Sequence, residues 1–117
     1  MKAIIEVARH GSAVRTARSQ IAATRKGKSP DYHLSFETAR SLFAELTPAR
    51  VDLLDTLRRV GPCSVYALAK AAERNYSNVH GDVGRLEELG LIERTQEDAV
   101  FVPYESVEIL VPLAQVA

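Results

Sequence analysis

Between Arg74 and Arg85 the chain gathers side chains suited to the edges of base pairs and to the phosphates beside them. Ser77, Asn78, His80 and Gly81 fall on one polar side, with Arg85 one turn further on. The Asn78 amide offers the paired donor and acceptor that match adenine, and His80 can donate to guanine or to a phosphate. Arg74 and Arg85 suit backbone phosphate, which positions a protein without specifying sequence. Asn75 stands at the head of the same segment as a helix cap and extends its polar edge. Tyr76 either packs against the preceding helix or places its hydroxyl on a phosphate. Further on, Arg94 and Gln96 are the useful contacts around a turn whose Glu97 and Asp98 repel phosphate.

Other chemistries find no set of residues. His10, His33 and His80 share no metal-ligand spacing with one another or with Cys63, so no metal site is expected. Cys63, between Pro62 and a Ser64 cap, reads as a small, partly buried residue rather than a reactive thiol. Asp52 and Asp55 flank the apolar stripe of a helix and read as solvated ion-pair partners. A Gly-rich phosphate loop and a nucleophile elbow are both missing, so neither a cofactor nor an enzyme activity is expected.

The elements that must hold the polar segment follow from periodicity. Ala3–Val7 is short and β-branched, a strand candidate. From Ser12 a helical pattern places Val14, Ala17 and Ile21 on one side and Arg15, Arg18 and Arg25 on another; Gly27–Asp31 then reads as a linker. Ser35 is expected to open a short helix with Phe36, Ala39, Leu42, Phe43 and Leu46 at helical spacing. Thr47-Pro48 starts another, burying Val51, Leu54 and Leu57 with Leu53 and Val60 alongside, and Gly61-Pro62 ends it. Ser64 caps a helix with Val65, Leu68, Ala69 and Ala72 inward. After a tight break at Glu73-Arg74, Tyr76, Val79, Val83, Leu86 and Leu89 recur as one amphipathic face over 75–89. Ala69 is the small residue where those two helices approach. Strands over 91–94 and 99–102 then form a hairpin, and Val107–Leu113 is a last strand, limited by Pro112 to an edge or an end, that can pair with Ala3–Val7 of its own or a partner chain.

This order reads as a mainly α fold with a small β component: a winged helix-turn-helix with an N-terminal strand–helix extension and a C-terminal strand. The expected division is a basic extension over 1–34, for dimerisation or partner binding, and a DNA-binding domain over 35–117. The third helix would present its polar face to the major groove, whose width admits one helix.

The string LAKAAERNYSNVHGDVGRLEELGLIERT over 68–95 resembles the winged helix-turn-helix of MarR-like transcriptional regulators, most of all in RLEELGLIERT. The wider chain is similar to a group of small prokaryotic predicted regulators, on the segments Ser35-Phe36-Glu37, Leu46-Thr47-Pro48-Ala49-Arg50, the Val-His-x-Asp-Val match at Val79–Val83, and Val102-Pro103-Tyr104. The resemblance covers 34–105 well and the first 30 residues poorly. It implies a DNA-binding autoregulator, and it permits the antitoxin half of a toxin–antitoxin pair with a protein toxin as partner. Two positions depart from the pattern. Glu73 stands where such turns often have glycine, so the turn must avoid positive φ or accept strain. Gly81 stands where relatives often carry a basic residue. Gly81 and Gly84 each cost a helix roughly 1 kcal/mol against alanine; they either let the helix approach DNA closely or are simply tolerated.

Charge is divided rather than neutral. The net charge of zero hides residues 1–28, with seven Lys/Arg against Glu6 alone, a balance of +6; the other 89 residues carry −6. A basic arm on an acidic body suits an anionic partner, or an acidic protein surface, and Arg15, Arg18 and Arg25 are its candidate contacts. One short recognition helix reads few bases, so a homodimer on double-stranded DNA is expected. At 117 residues the chain suits one domain. No apolar run approaches the roughly 18–20 residues of a membrane span, no secretory signal is evident, and the lone cysteine fits a reducing cytoplasm.

Overall fold

A computed structural model describes residues 1–7 and 30–114. The expected basic helix, with Arg15, Arg18 and Arg25, lies outside the described residues. The fold is mixed α/β and divides into two compact units, one of residues 1–45 and 104–117 and one of residues 46–103. This division does not fall at residue 34, because strands from both ends of the chain share one sheet.

In the first unit β1 (Ala3–Val7) lies between β2 (Tyr32–Phe36) and β5 (Val107–Leu110), and both pairings are parallel. The register sets Ala3 beside Tyr32 and Val107, and Ile5 beside Leu34 and Ile109. Ala3 and Ile5 are fully buried, as is Leu42 of α1 (Ala39–Glu45). The Tyr32 and Tyr104 rings stack with centroids 5.6 Å apart. The C-terminal strand therefore finds Ala3–Val7 within its own chain, and it stops at Leu110, short of Pro112.

Ser35 and Phe36 correct the sequence reading. They belong to β2 rather than to a helix, because β1 supplies a hydrogen-bonding ladder that local spacing cannot reveal. The helix starts later, behind a reciprocal Thr38–Ser41 pair in which the Ser41 N–H donates to Thr38 Oγ1 at 3.0 Å.

The second unit is built from three capped helices and a hairpin. In α2 (Pro48–Val60) the Thr47 hydroxyl accepts the Arg50 N–H at 3.2 Å. In α3 (Val65–Ala72) Ser64 accepts the Ala67 N–H at 3.0 Å. In α4 (Tyr76–Glu88) Asn75 Oδ1 accepts the Asn78 N–H at 3.3 Å. Each cap satisfies a donor the first turn leaves open. The core joins Leu53, Leu54 and Leu57 to Leu68 and Ala69, and to Val79, Val83 and Leu86. Val51 and Val60, assigned inward by spacing, are exposed at 37% and 51%.

Between α3 and α4 the chain turns at Glu73, which takes φ +54° and ψ +44°. The turn thus accepts the left-handed conformation, at a cost of roughly 1 kcal/mol for a residue with a Cβ. Gly90, at φ +80°, ends α4 and lets the Leu91 N–H donate to Leu86 at 2.9 Å. The hairpin strands, β3 (Glu93–Arg94) and β4 (Val100–Phe101), are shorter than the expected 91–94 and 99–102. Cys63 bridges the other side of β4, exchanging backbone hydrogen bonds with Val100 at 3.1 and 2.8 Å. Burial pushes its thiol pKa up, as suits a residue held in a ladder.

Candidate nucleic-acid interface

α4 divides into two faces. Val79, Val83 and Leu86 are buried, while Ser77, Asn78, His80 and Gly81 are exposed along its N-terminal half. Asn75 is spent on the cap: its side-chain oxygen holds the first turn, which leaves only its amide nitrogen to point elsewhere. The helix N-terminus adds a partial positive charge to this end.

Tyr76 stands off the buried stripe, 48% exposed, against two neighbours. Its ring tilts on Tyr66 of α3 at 6.4 Å and on His80 at 5.8 Å. Lys70 places its ammonium 5.4 Å from the Tyr66 ring centre. Tyr66 and Lys70 were not singled out by sequence, yet they extend the polar edge of α4 onto α3 with a cation and a phenol. The signal was available: Tyr66 and Lys70 are one helical turn apart on the wet side of a helix packed against α4.

The arginines differ from the sequence expectation in what already holds them. Arg74 donates to Asp82 at 2.7 Å, and Arg50 Nε donates to the other Asp82 oxygen at 3.1 Å. Burial pushes the Asp82 carboxyl up, but the hydrogen bonds and charges of Arg74 and Arg50 outweigh it and hold it below the usual carboxylate range. The cluster fastens the start of α2 and the turn before α4 to α4 itself. Both oxygens of the carboxylate are thereby taken, one by each arginine. Arg85 pairs with Glu88 at 2.7 Å. Arg94 is held between Glu87 and Asp98, and Gln96 lies exposed in the hairpin turn. Among the described residues no group of three or more His, Cys, Asp or Glu side chains could hold a metal, and no helix is long and apolar enough to cross a membrane.

The Arg50–Asp82 pair joins two segments that are distant in sequence, and both lie within the stretch that a family profile recognises. The HVO_A0114 profile matches residues 45–109. The chain belongs to the HVO_A0114 family. The HVO_A0114 match takes in α2, α3, α4 and the hairpin whole, and it reaches into β5. No curated protein and no solved structure matches the chain.

Gly81 and Gly84 leave the α4 surface unusually smooth. A Cβ added at either would meet nothing within 4 Å, so the packing of the described residues does not require glycine at these places. Gly81→Ala and Gly84→Ala are each expected to stabilise the protein by about 1 kcal/mol, read as a higher denaturant midpoint at unchanged slope. A loss of stability would mean that both are demanded by the fold.

Proposed function

We propose that this HVO_A0114 protein is a sequence-specific DNA-binding transcriptional regulator that acts as a homodimer. Residues 47–104 would serve as a MarR-like winged helix-turn-helix, with the hairpin as its wing and α4 in the major groove. The observation that carries this reading is the division of α4: an apolar face seated in the core, and Ser77, Asn78, His80 and Gly81 exposed on its capped N-terminal half. A groove-reading helix needs that combination of a rigid seat and short polar side chains. Lys70, exposed on the neighbouring helix, supplies a cation for phosphate beside this face.

Fluorescence anisotropy of the protein on the DNA upstream of its own gene, at two salt concentrations, tests the proposal. Tight binding that weakens steeply with salt and exceeds binding to a scrambled duplex is the expected result. Binding that does not distinguish the two sequences would overturn sequence-specific regulation.

The dimer is supported by the edge of the parallel sheet. The Ala3 N–H donates to Ser106 O at 3.0 Å, which turns the backbone groups of Ser106 and Glu108 toward β1 and those of Val107 and Ile109 outward. Ile109 shares the face on which Ile5 is fully buried, yet is itself 40% exposed, and Leu110 is 53% exposed. Among the described residues no strand pairs with this edge, and an apolar edge strand invites pairing with another copy. Ile109→Lys is expected to convert a dimer to a monomer in sedimentation velocity with little change in melting temperature. A variant that stays dimeric would place the interface elsewhere.

A further inference from the structure

The hairpin after α4 carries one arginine, and its own chain already surrounds it. Arg94 Nε donates to Glu87 Oε2 at 3.2 Å and a terminal nitrogen donates to the other Glu87 oxygen, a two-point grip from α4. The second terminal nitrogen donates to Asp98 at 2.9 Å from across the turn. The remaining charges of the hairpin, Glu93 and Glu97, are also acidic and exposed. The hydrogen bonds Arg94 donates to Glu87 and then to Asp98 raise the guanidinium pKa, and its donors are directed at carboxylates.

An arginine at this place would ordinarily add a phosphate contact. Sequence-independent affinity for duplex DNA grows with every phosphate neutralised, because each releases condensed counterions. A cation whose fork is filled by two carboxylates releases none until the carboxylates let go. We propose that Glu87 and Asp98 hold Arg94 away from DNA phosphate, so that the hairpin restrains sequence-independent binding and leaves recognition to the exposed face of α4. This rests on the DNA-binding reading above and assigns a role to two acidic residues at the same site. Restraint has a use for a regulator facing a large excess of non-target DNA, since weak general affinity keeps the protein free to find its operator.

The test compares wild type with four variants by anisotropy, on the upstream duplex and on a scrambled one, over a series of salt concentrations. Glu87→Gln with Asp98→Asn removes the grip, and asparagine tolerates the φ of +66° at position 98. That variant is expected to bind both duplexes about five- to tenfold more tightly at low salt, with a log–log salt slope steeper by about 0.9. Arg94→Ala alone is expected to leave wild-type binding nearly unchanged, and the same change in the double variant should cancel its gain. Glu93→Gln with Glu97→Gln removes as much negative charge without touching Arg94 and should give a clearly smaller gain and no change in slope. Thermal melts confirm that each variant is folded.

Three results would overturn the restraint while the DNA reading stands. The first is wild-type binding that Glu87→Gln with Asp98→Asn does not strengthen. The second is an equal gain from the Glu93/Glu97 variant, which would reduce the effect to net charge. The third is a large loss from Arg94→Ala in the wild type, which would put Arg94 on phosphate already. Absence of salt-sensitive binding in both wild type and the freed-arginine variant would instead defeat the DNA reading, and the restraint with it.

Discussion

Asp82→Ala is expected to lower the unfolding free energy by about 2 to 3 kcal/mol. The carboxylate is only 18% exposed and takes Arg50 at 3.1 Å on one oxygen and Arg74 at 2.7 Å on the other. Alanine would leave two guanidinium groups, themselves 20% and 28% exposed, facing each other without the charge between them. Arg74 is the less forgiving partner, because its Nη1 is already buried with no hydrogen-bond acceptor. The pH dependence has a definite sign. A carboxyl whose folded pKa lies below the unfolded value stabilises the protein above about pH 4 and loses that contribution as pH falls through its lowered folded pKa. Urea unfolding at pH 7 and at progressively lower pH should therefore show wild type and variant converging in acid. Equal stability at pH 7, or a gap that persists unchanged once the carboxyl is protonated, would mean that the cluster is ornamental.

The second unit was legible because its signals are local. Thr47, Ser64 and Asn75 each sit directly before an amphipathic run, and all three act as caps. Glu73 was legible as a problem, and the positive φ is its resolution. The first unit was legible only in part. Tyr32–Phe36 becomes a strand through a parallel partner, Ala3–Val7, distant in sequence, and the helical spacing of Phe36 and Ala39 points the other way. Val51 and Val60 show the limit of periodicity, which marks a face but not how far neighbouring elements extend to cover it. The same limit governs the site. Ser77, Asn78, His80 and Gly81 were placed on an exposed face by spacing alone, and they are exposed. Residue type alone assigns Arg74 and Arg85 to phosphate and Arg94 to a hairpin contact, whereas Asp82 reaches one of its partners 32 residues away and Glu87 reaches Arg94 from a different element. Charge pairing across elements needs coordinates; charge content does not.

Asn78→Ala combined with His80→Ala is expected to weaken binding to the target duplex by roughly 100-fold or more, since each base-edge contact is worth about 1–3 kcal/mol of discrimination. Binding to a scrambled duplex should change little, because neither substitution removes a Lys or Arg, and the salt slope should stay the same. Specific and general affinity would then meet, which is the signature of lost reading rather than lost grip. Stability should be nearly unaffected for reasons visible in α4. The cap uses the backbone N–H of Asn78, which alanine retains, and both side chains are exposed. His80 gives up its tilted contact with Tyr76 at 5.8 Å, a loss of about 0.5–1 kcal/mol at most, and alanine returns part of it through helix propensity. Anisotropy on the two duplexes, with thermal melts of the same samples, separates the cases. A folded variant that still prefers its target would remove Asn78 and His80 from the reading surface. If the variant unfolds instead, these side chains support the helix rather than read from it, and the polar face of α4 loses the property on which its assignment stands.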